Sequence, residues 1–244
     1  MQPAPMTAPR NKLIVALDVD SAAEAHRLVS VLRGVAGLFK IGSRLFTAVG
    51  PQLVRDIVNS GAEVFLDLKF HDIPNTVAAA GVEATRLGVS IFNVHASGGL
   101  EMMRRTKEAV SDVCEKNGLK RPAIIGVTVL TSSSELTLTE IGLPGPDKLV
   151  KRLALLAEAA GLDGVVASPH EVAIVRGAVK KTPFLVVTPG VRPAGVERND
   201  QKRVMTPREA VTAGADYLVV GRPILEAGDP VDAAQKIVAD MLPS

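Results

Sequence analysis

Residues 67–76, DLKFHDIPNT, put Asp67, Lys69 and Asp72 within six positions at the end of an apolar run. Charged side chains seldom close a buried strand without a use, because burying a charge is costly unless it is paired. The spacing would let all three groups crowd one small volume. An ammonium flanked by two carboxylates is held in its charged form, since opposite charges oppose the desolvation that would neutralise it. Such a group suits delivery of a proton, or of positive charge, to a developing anion.

Other charges fall at equivalent places. Asp18 lies near the end of LIVALDV (13–19), and Lys40 interrupts LFKIGS (38–43). In VFLDLKF (64–70) a period of two puts Phe65, Asp67 and Lys69 on one face and Val64, Leu66, Leu68 and Phe70 on the other. One inward Asp or Lys is more often a structural ion pair than a reactive group. Four of them (Asp18, Lys40, Asp67 and Lys69) on three successive strands, all at one rim, favour catalysis. A second cluster comprises TPGVR (188–192), the loop to Arg203, and VVGRPI (219–224). Glycine lets backbone N–H groups approach a ligand and a following arginine adds bidentate charge, which suits phosphate. Taken alone, Gly221-Arg222-Pro223 is also an ordinary turn; its place after the eighth apolar run favours the phosphate site.

His26 and His170 fall on expected helix surfaces, His71 lies inside the charged motif, and His95 ends the fourth run. No histidine pair has zinc-ligand spacing, so no metal is expected. The single cysteine, Cys114, excludes an intramolecular disulfide and a cysteine zinc cluster, and reads as a small packing residue in a helix.

These side chains need a scaffold that brings strand ends together. Eight apolar runs recur at 13–19, 38–43, 64–70, 91–96, 123–129, 164–168, 184–190 and 217–224, separated by segments of helical period. Their continuity suits strands buried on both faces, and strand–helix alternation implies parallel pairing. Gly34, Gly61, Gly88, Gly161 and Gly214 are placed to close helices. A (β/α)8 barrel fits, and its active site would lie at the C-terminal rim. The alternative, an open doubly wound sheet, lacks a G-x-G-x-x-G after the first strand. Long polar stretches at 131–146 and 191–205 would then be rim lids.

The totals agree. The chain has 244 residues, is 47% hydrophobic but only 3% aromatic, and carries a net charge of +2, so its core must be aliphatic. Balanced charge and few aromatics argue against nucleic-acid binding. No run is long enough to span a membrane, and MQPAPMTAPRNK lacks the apolar core of a signal peptide. Residues 1–12 are expected to be a disordered lead and 13–244 one cytoplasmic barrel domain.

DLKFHDIPNT closely resembles the signature of the orotidine 5′-phosphate decarboxylase family. ALDV (16–19), FKIG (39–42), TVLTS (128–132), VTPGVR (187–192), DQKRVMTP (200–207) and VVGRPI (219–224) follow in the expected order, over about residues 13–242. The resemblance implies conversion of orotidine 5′-monophosphate to UMP and CO2 without metal or cofactor. It implies that Asp18 and Lys40 hold the ribose, and that Asp67, Lys69 and Asp72 surround the departing carboxylate. Thr131 and Ser132 would contact the pyrimidine; Arg192, Gln201, Gly221 and Arg222 would grip the 5′-phosphate. It further implies a homodimer in which Asp72 and Thr76 reach the neighbouring site.

Loss of CO2 leaves an electron pair on C6 with no adjacent carbonyl to delocalise it. An ordinary ammonium, of pKa about 10.4, is acid enough to protonate so strong a base. The nearest rival is the keto-gulonate-phosphate decarboxylase and hexulose-phosphate synthase group, which resembles the Asp-x-Lys-x-x-Asp pattern but uses Mg2+. IPNT and DQKR favour the pyrimidine enzyme. A catalytically idle nucleotide-binding barrel is the other class, and it has no need of the buried charged set.

Overall fold

The computed structural model describes residues 9–192 and 205–242. Eight strands, β1 (Leu13–Ala16), β2 (Leu38–Gly42), β3 (Val64–Phe70), β4 (Ile91–His95), β5 (Ala123–Val127), β6 (Gly164–Val166), β7 (Leu185–Pro189) and β8 (Tyr217–Val220), close into one barrel in chain order. Every pair is parallel, including the seam where Val15 meets Val220. The eight apolar runs therefore mark the eight strands, and the open sheet is excluded.

Strand residues alternate between two cores. Ile14, Leu38, Phe65, Ile91, Ile125, Val187 and Val219 point inward and fill the barrel with Ala16. Val15, Phe39, Ile41, Leu66, Phe92, Val94, Ile124 and Val186 point outward and join the helices in a larger cluster. Full burial of one such side chain stabilises by about 1.5–3 kcal/mol, so both faces drive closure. Leu68 and Phe70 pack with the outer set, as the period of two in β3 requires.

The helices Pro74–Arg86 and Gly99–Asn117 follow β3, which carries Asp67 and Lys69, and β4. They approach closely at Gly81, where a β-carbon would stand 3.0 Å from Thr106 Cγ2 and 3.1 Å from Phe92 Cζ. Cys114 is buried in the second helix, and burial pushes its thiol pKa up, as befits a packing residue. Gly61, Gly88, Gly161 and Gly214 leave their helices with positive φ. Gly34 does not: the first helix ends at Leu32 with Arg33 as a right-handed cap.

Charge at the base of the barrel is used differently. Asp163, just before β6, accepts the Ile124 N–H at 2.8 Å and pairs with Arg121 at 2.9 Å. Asp216, just before β8, accepts the Val186 N–H at 2.7 Å and pairs with Arg176. Each acid ties a strand start to its neighbour, a stabilising role suited to that end.

Pro9–Lys12, the end of the expected lead, form a 3-10 turn, while 1–8 lie outside the described residues. Among the described residues no helix is long and apolar enough to cross a membrane.

Candidate active site

A cavity of about 260 Å³ opens at the C-terminal ends of the strands. Asp18, Lys40, Asp67 and Lys69 form one wall; Gly190, Arg192, Gly221 and Arg222 contribute to another, with Thr131 also lining it. The two sequence clusters are thus walls of one chamber.

The charged wall alternates in sign. Lys40 Nζ lies 3.2 Å from Asp18 Oδ1 and 3.4 Å from Asp67 Oδ2. Lys69 Nζ lies 2.7 Å from Asp67 Oδ1. The Asp67 side chain is 12% exposed and lies between two ammonium groups, whereas Asp18 is 56% exposed. Removing one member of such a buried pair typically costs about 3–5 kcal/mol, because the remaining charge loses its partner. Gly42 keeps the wall compact: a β-carbon there would stand 3.1 Å from Lys40 Nζ.

Lys69 has φ 51°, the one positive value among the described non-glycine residues. A side-chain-bearing residue pays about 1–3 kcal/mol for such a backbone. The cause is local. Leu66 pairs with Phe92 and Phe70 with Val94, so β3 bulges against β4 between those pairs. Asn93, fully buried on β4, spans the bulge. Its Oδ1 accepts the Lys69 N–H at 2.8 Å, and its Nδ2 donates to Asp67 Oδ1 at 2.7 Å. Asn93 is absent from the sequence-derived site. Its available signal was a carboxamide at an inward position, between Ile91 and His95, of a largely apolar strand.

His95, two residues further on that inward face, has its ring centroid 5.2 Å from that of His71. Burial pushes its pKa below the ordinary imidazole range; positive charge on His71 and Lys69 adds to this, and Asp67 opposes it.

The opposite wall is mostly backbone and guanidinium. Gly190 turns the end of β7 with φ 84°, and Arg192 follows, 5% exposed. Gly221 packs over the first strand: a β-carbon there would stand 3.3 Å from Asp18 Oδ2 and 3.4 Å from Ala16 Cβ. Arg222 begins the four-residue helix Arg222–Leu225.

Other expected site residues lie apart. Asp72 is exposed and turns back to accept the Ile73 N–H at 2.6 Å, without an ion pair to Lys69. The expected crowding of Asp67, Lys69 and Asp72 therefore does not occur within one chain. Thr76, in the first turn of its helix, and Ser132 are also exposed and outside the cavity lining. Gln201 and Arg203 lie outside the described residues. His26 and His170 are surface residues, as expected. Among the described residues no group of three or more His, Cys, Asp or Glu side chains is placed to hold a metal ion.

Comparison with known proteins agrees with this architecture. The model of the orotidine 5′-phosphate decarboxylase / HUMPS family matches residues 11–237. The orotidine 5′-phosphate decarboxylase of Syntrophotalea carbinolica is 58% identical over 95% of this chain and 95% of its own. That of Geobacter sulfurreducens is 55% identical over 96% and 97%. The crystal structure of orotidine 5′-phosphate decarboxylase from Lactobacillus acidophilus aligns with a TM-score of 0.81 at 35% identity, covering 95% of this chain and 99% of that one. With the charged strand ends, the glycine–arginine wall and the closed eight-stranded barrel, these matches establish that the chain belongs to the orotidine 5′-phosphate decarboxylase / HUMPS family.

Proposed function

We propose that this protein is a carboxy-lyase converting orotidine 5′-monophosphate to UMP and CO2 in pyrimidine biosynthesis, without metal or cofactor. The carrying observation is the Asp18–Lys40–Asp67–Lys69 chain, which lines one cavity together with a glycine–arginine wall. In this reading Arg192, Gly221 and Arg222 hold the 5′-phosphate with Gln201, Asp18 and Lys40 hold the ribose, and Thr131 and Ser132 contact the base.

The substrate carboxylate then meets Asp67, and its departure relieves that repulsion. The C6–carboxylate bond breaks with both electrons left on C6. Lys69 Nζ transfers a proton to that carbon and is reprotonated from solvent. Interactions stronger in the transition state than in the bound substrate lower the barrier, and the Lys69 charge beside a growing carbanion is of that kind. Phosphate binding far from C6 can contribute by organising the charged wall.

We also propose a homodimer. Asp72 and Thr76 are exposed and outside their own chain's cavity, and so are available to a neighbour's. There Asp72 would supply the second carboxylate flanking Lys69.

The test is ultraviolet absorbance of orotidine 5′-monophosphate with purified protein, with and without EDTA. Rapid conversion to UMP that is indifferent to EDTA is expected. No conversion, with Mg2+-dependent turnover of a keto-sugar phosphate, would instead assign it to the other branch of the family.

A further inference from the structure

We propose that Asn93 is a positioning residue that holds Lys69 in its left-handed backbone and so sets the aim of the ammonium. The inference rests on the proposed reaction for its kinetic consequence, but its geometry is independent of it. A bulge leaves ladder groups without their usual partners. In this bulge, between the Leu66–Phe92 and Phe70–Val94 pairs, the Lys69 N–H is satisfied by a side chain, Asn93 Oδ1, at 2.8 Å. The same carboxamide donates to Asp67 Oδ1 at 2.7 Å, the oxygen that also receives Lys69 Nζ at 2.7 Å.

Asn93 therefore fixes both ends of the Asp67–Lys69 contact, through the lysine's main chain and the aspartate's carboxylate. A carboxamide has both functions this requires: an acceptor facing a backbone N–H and a donor facing a carboxylate. Aspartate can supply only the first while ionised, and leucine neither. The residue is fully buried and its hydrogen bonds are made inside the chain, so it is pre-set before any ligand arrives. Positive φ at a lysine is tolerated where the surroundings over-determine it, and a bond from Asn93 to the lysine's own N–H is such a determinant.

The experiment compares wild type, Asn93→Ala and Asn93→Asp, in kinetics and in crystal structures. For Asn93→Ala, kcat should fall by about 100-fold, the loss typical of a reacting group misplaced by an ångström. Affinity for UMP, which lacks the departing carboxylate, should stay within about threefold, a split that general destabilisation does not produce. Asn93→Asp keeps the acceptor for the Lys69 N–H but sets a second carboxylate against Asp67, so the acid limb of its kcat/KM profile should move to higher pH. In the alanine structure Lys69 should leave positive φ.

Wild-type turnover in folded Asn93→Ala, or Lys69 retaining both φ near 51° and its Asp67 contact there, overturns the proposal. Should the alanine variant not fold, an aspartate variant with unchanged turnover and pH profile overturns it. If the wild type is inert toward orotidine 5′-monophosphate, the proposed reaction fails, while the Lys69 backbone in the variant structures still decides the role of Asn93.

Discussion

Asp67 Oδ1 lies 2.7 Å from Lys69 Nζ, although the two residues are neighbours but one on a single strand. In a regular strand such side chains stand side by side, and here the positive φ of Lys69 accompanies their contact. The proton donor of the proposed transfer and the carboxylate that flanks it are therefore held by backbone geometry as well as by charge.

Lys69→Ala should lower kcat by about 1,000-fold or more, the scale of a lost general acid, while UMP binding survives. Steady-state rates and calorimetric titration with UMP check both halves. Substantial residual turnover would remove Lys69 from the proton-donor role.

Arg222→Ala should lower kcat/KM by about 10–100-fold, as expected for loss of a charge-assisted hydrogen bond to phosphate. The chemistry itself should be unchanged, with UMP still the sole nucleotide product by chromatography. A kcat/KM equal to wild type removes Arg222 from the phosphate grip.

Mixed dimers test whether Asp72 acts across subunits. Lys69→Ala and Asp72→Asn homodimers should each be nearly inactive. Random exchange of equal amounts leaves half the dimers mixed, each with one intact site, so about a quarter of wild-type activity should return. No recovery under verified exchange would place Asp72 in its own chain's site or outside catalysis.

His95 gives a pH prediction with a definite sign. Its folded pKa lies below its unfolded one, so between the two values the unfolded chain binds more protons. Stability is then complete above the unfolded pKa and is lost as pH falls through the folded one. His95→Gln should flatten the fall in Tm on going from neutral pH into the acid range, relative to wild type. An identical pH dependence of Tm in the two proteins counts against this linkage.

The barrel is legible in the sequence because its strands are buried on both faces, so each of the eight runs is largely apolar and the charges that break them mark the rim. The inward positions of Asp67 and Lys40 follow from the same periodicity, and the two walls from their places at strand ends. Asn93 is harder to see, because its importance depends on a bulge in a neighbouring strand that β4's own pattern does not encode. Asp72 shows the opposite limit. Its nearness to Lys69 in sequence suggests a contact, yet beyond β3 its carboxylate folds onto the Ile73 N–H. Local spacing reports side-chain direction only while the element stays regular.

Gly221 rests against Asp18 and Ala16 at the seam where the last strand joins the first. A ligand held by Asp18 and Arg222 together would fasten that seam like a buckle, because both ends of the chain must be in place to receive it. Such a ligand binds only the closed ring. By mass action, at 100 times its dissociation constant it would add about 2.7 kcal/mol to the cost of opening the ring. Nucleotide supply would then govern how long the folded protein lasts as well as how fast it turns over.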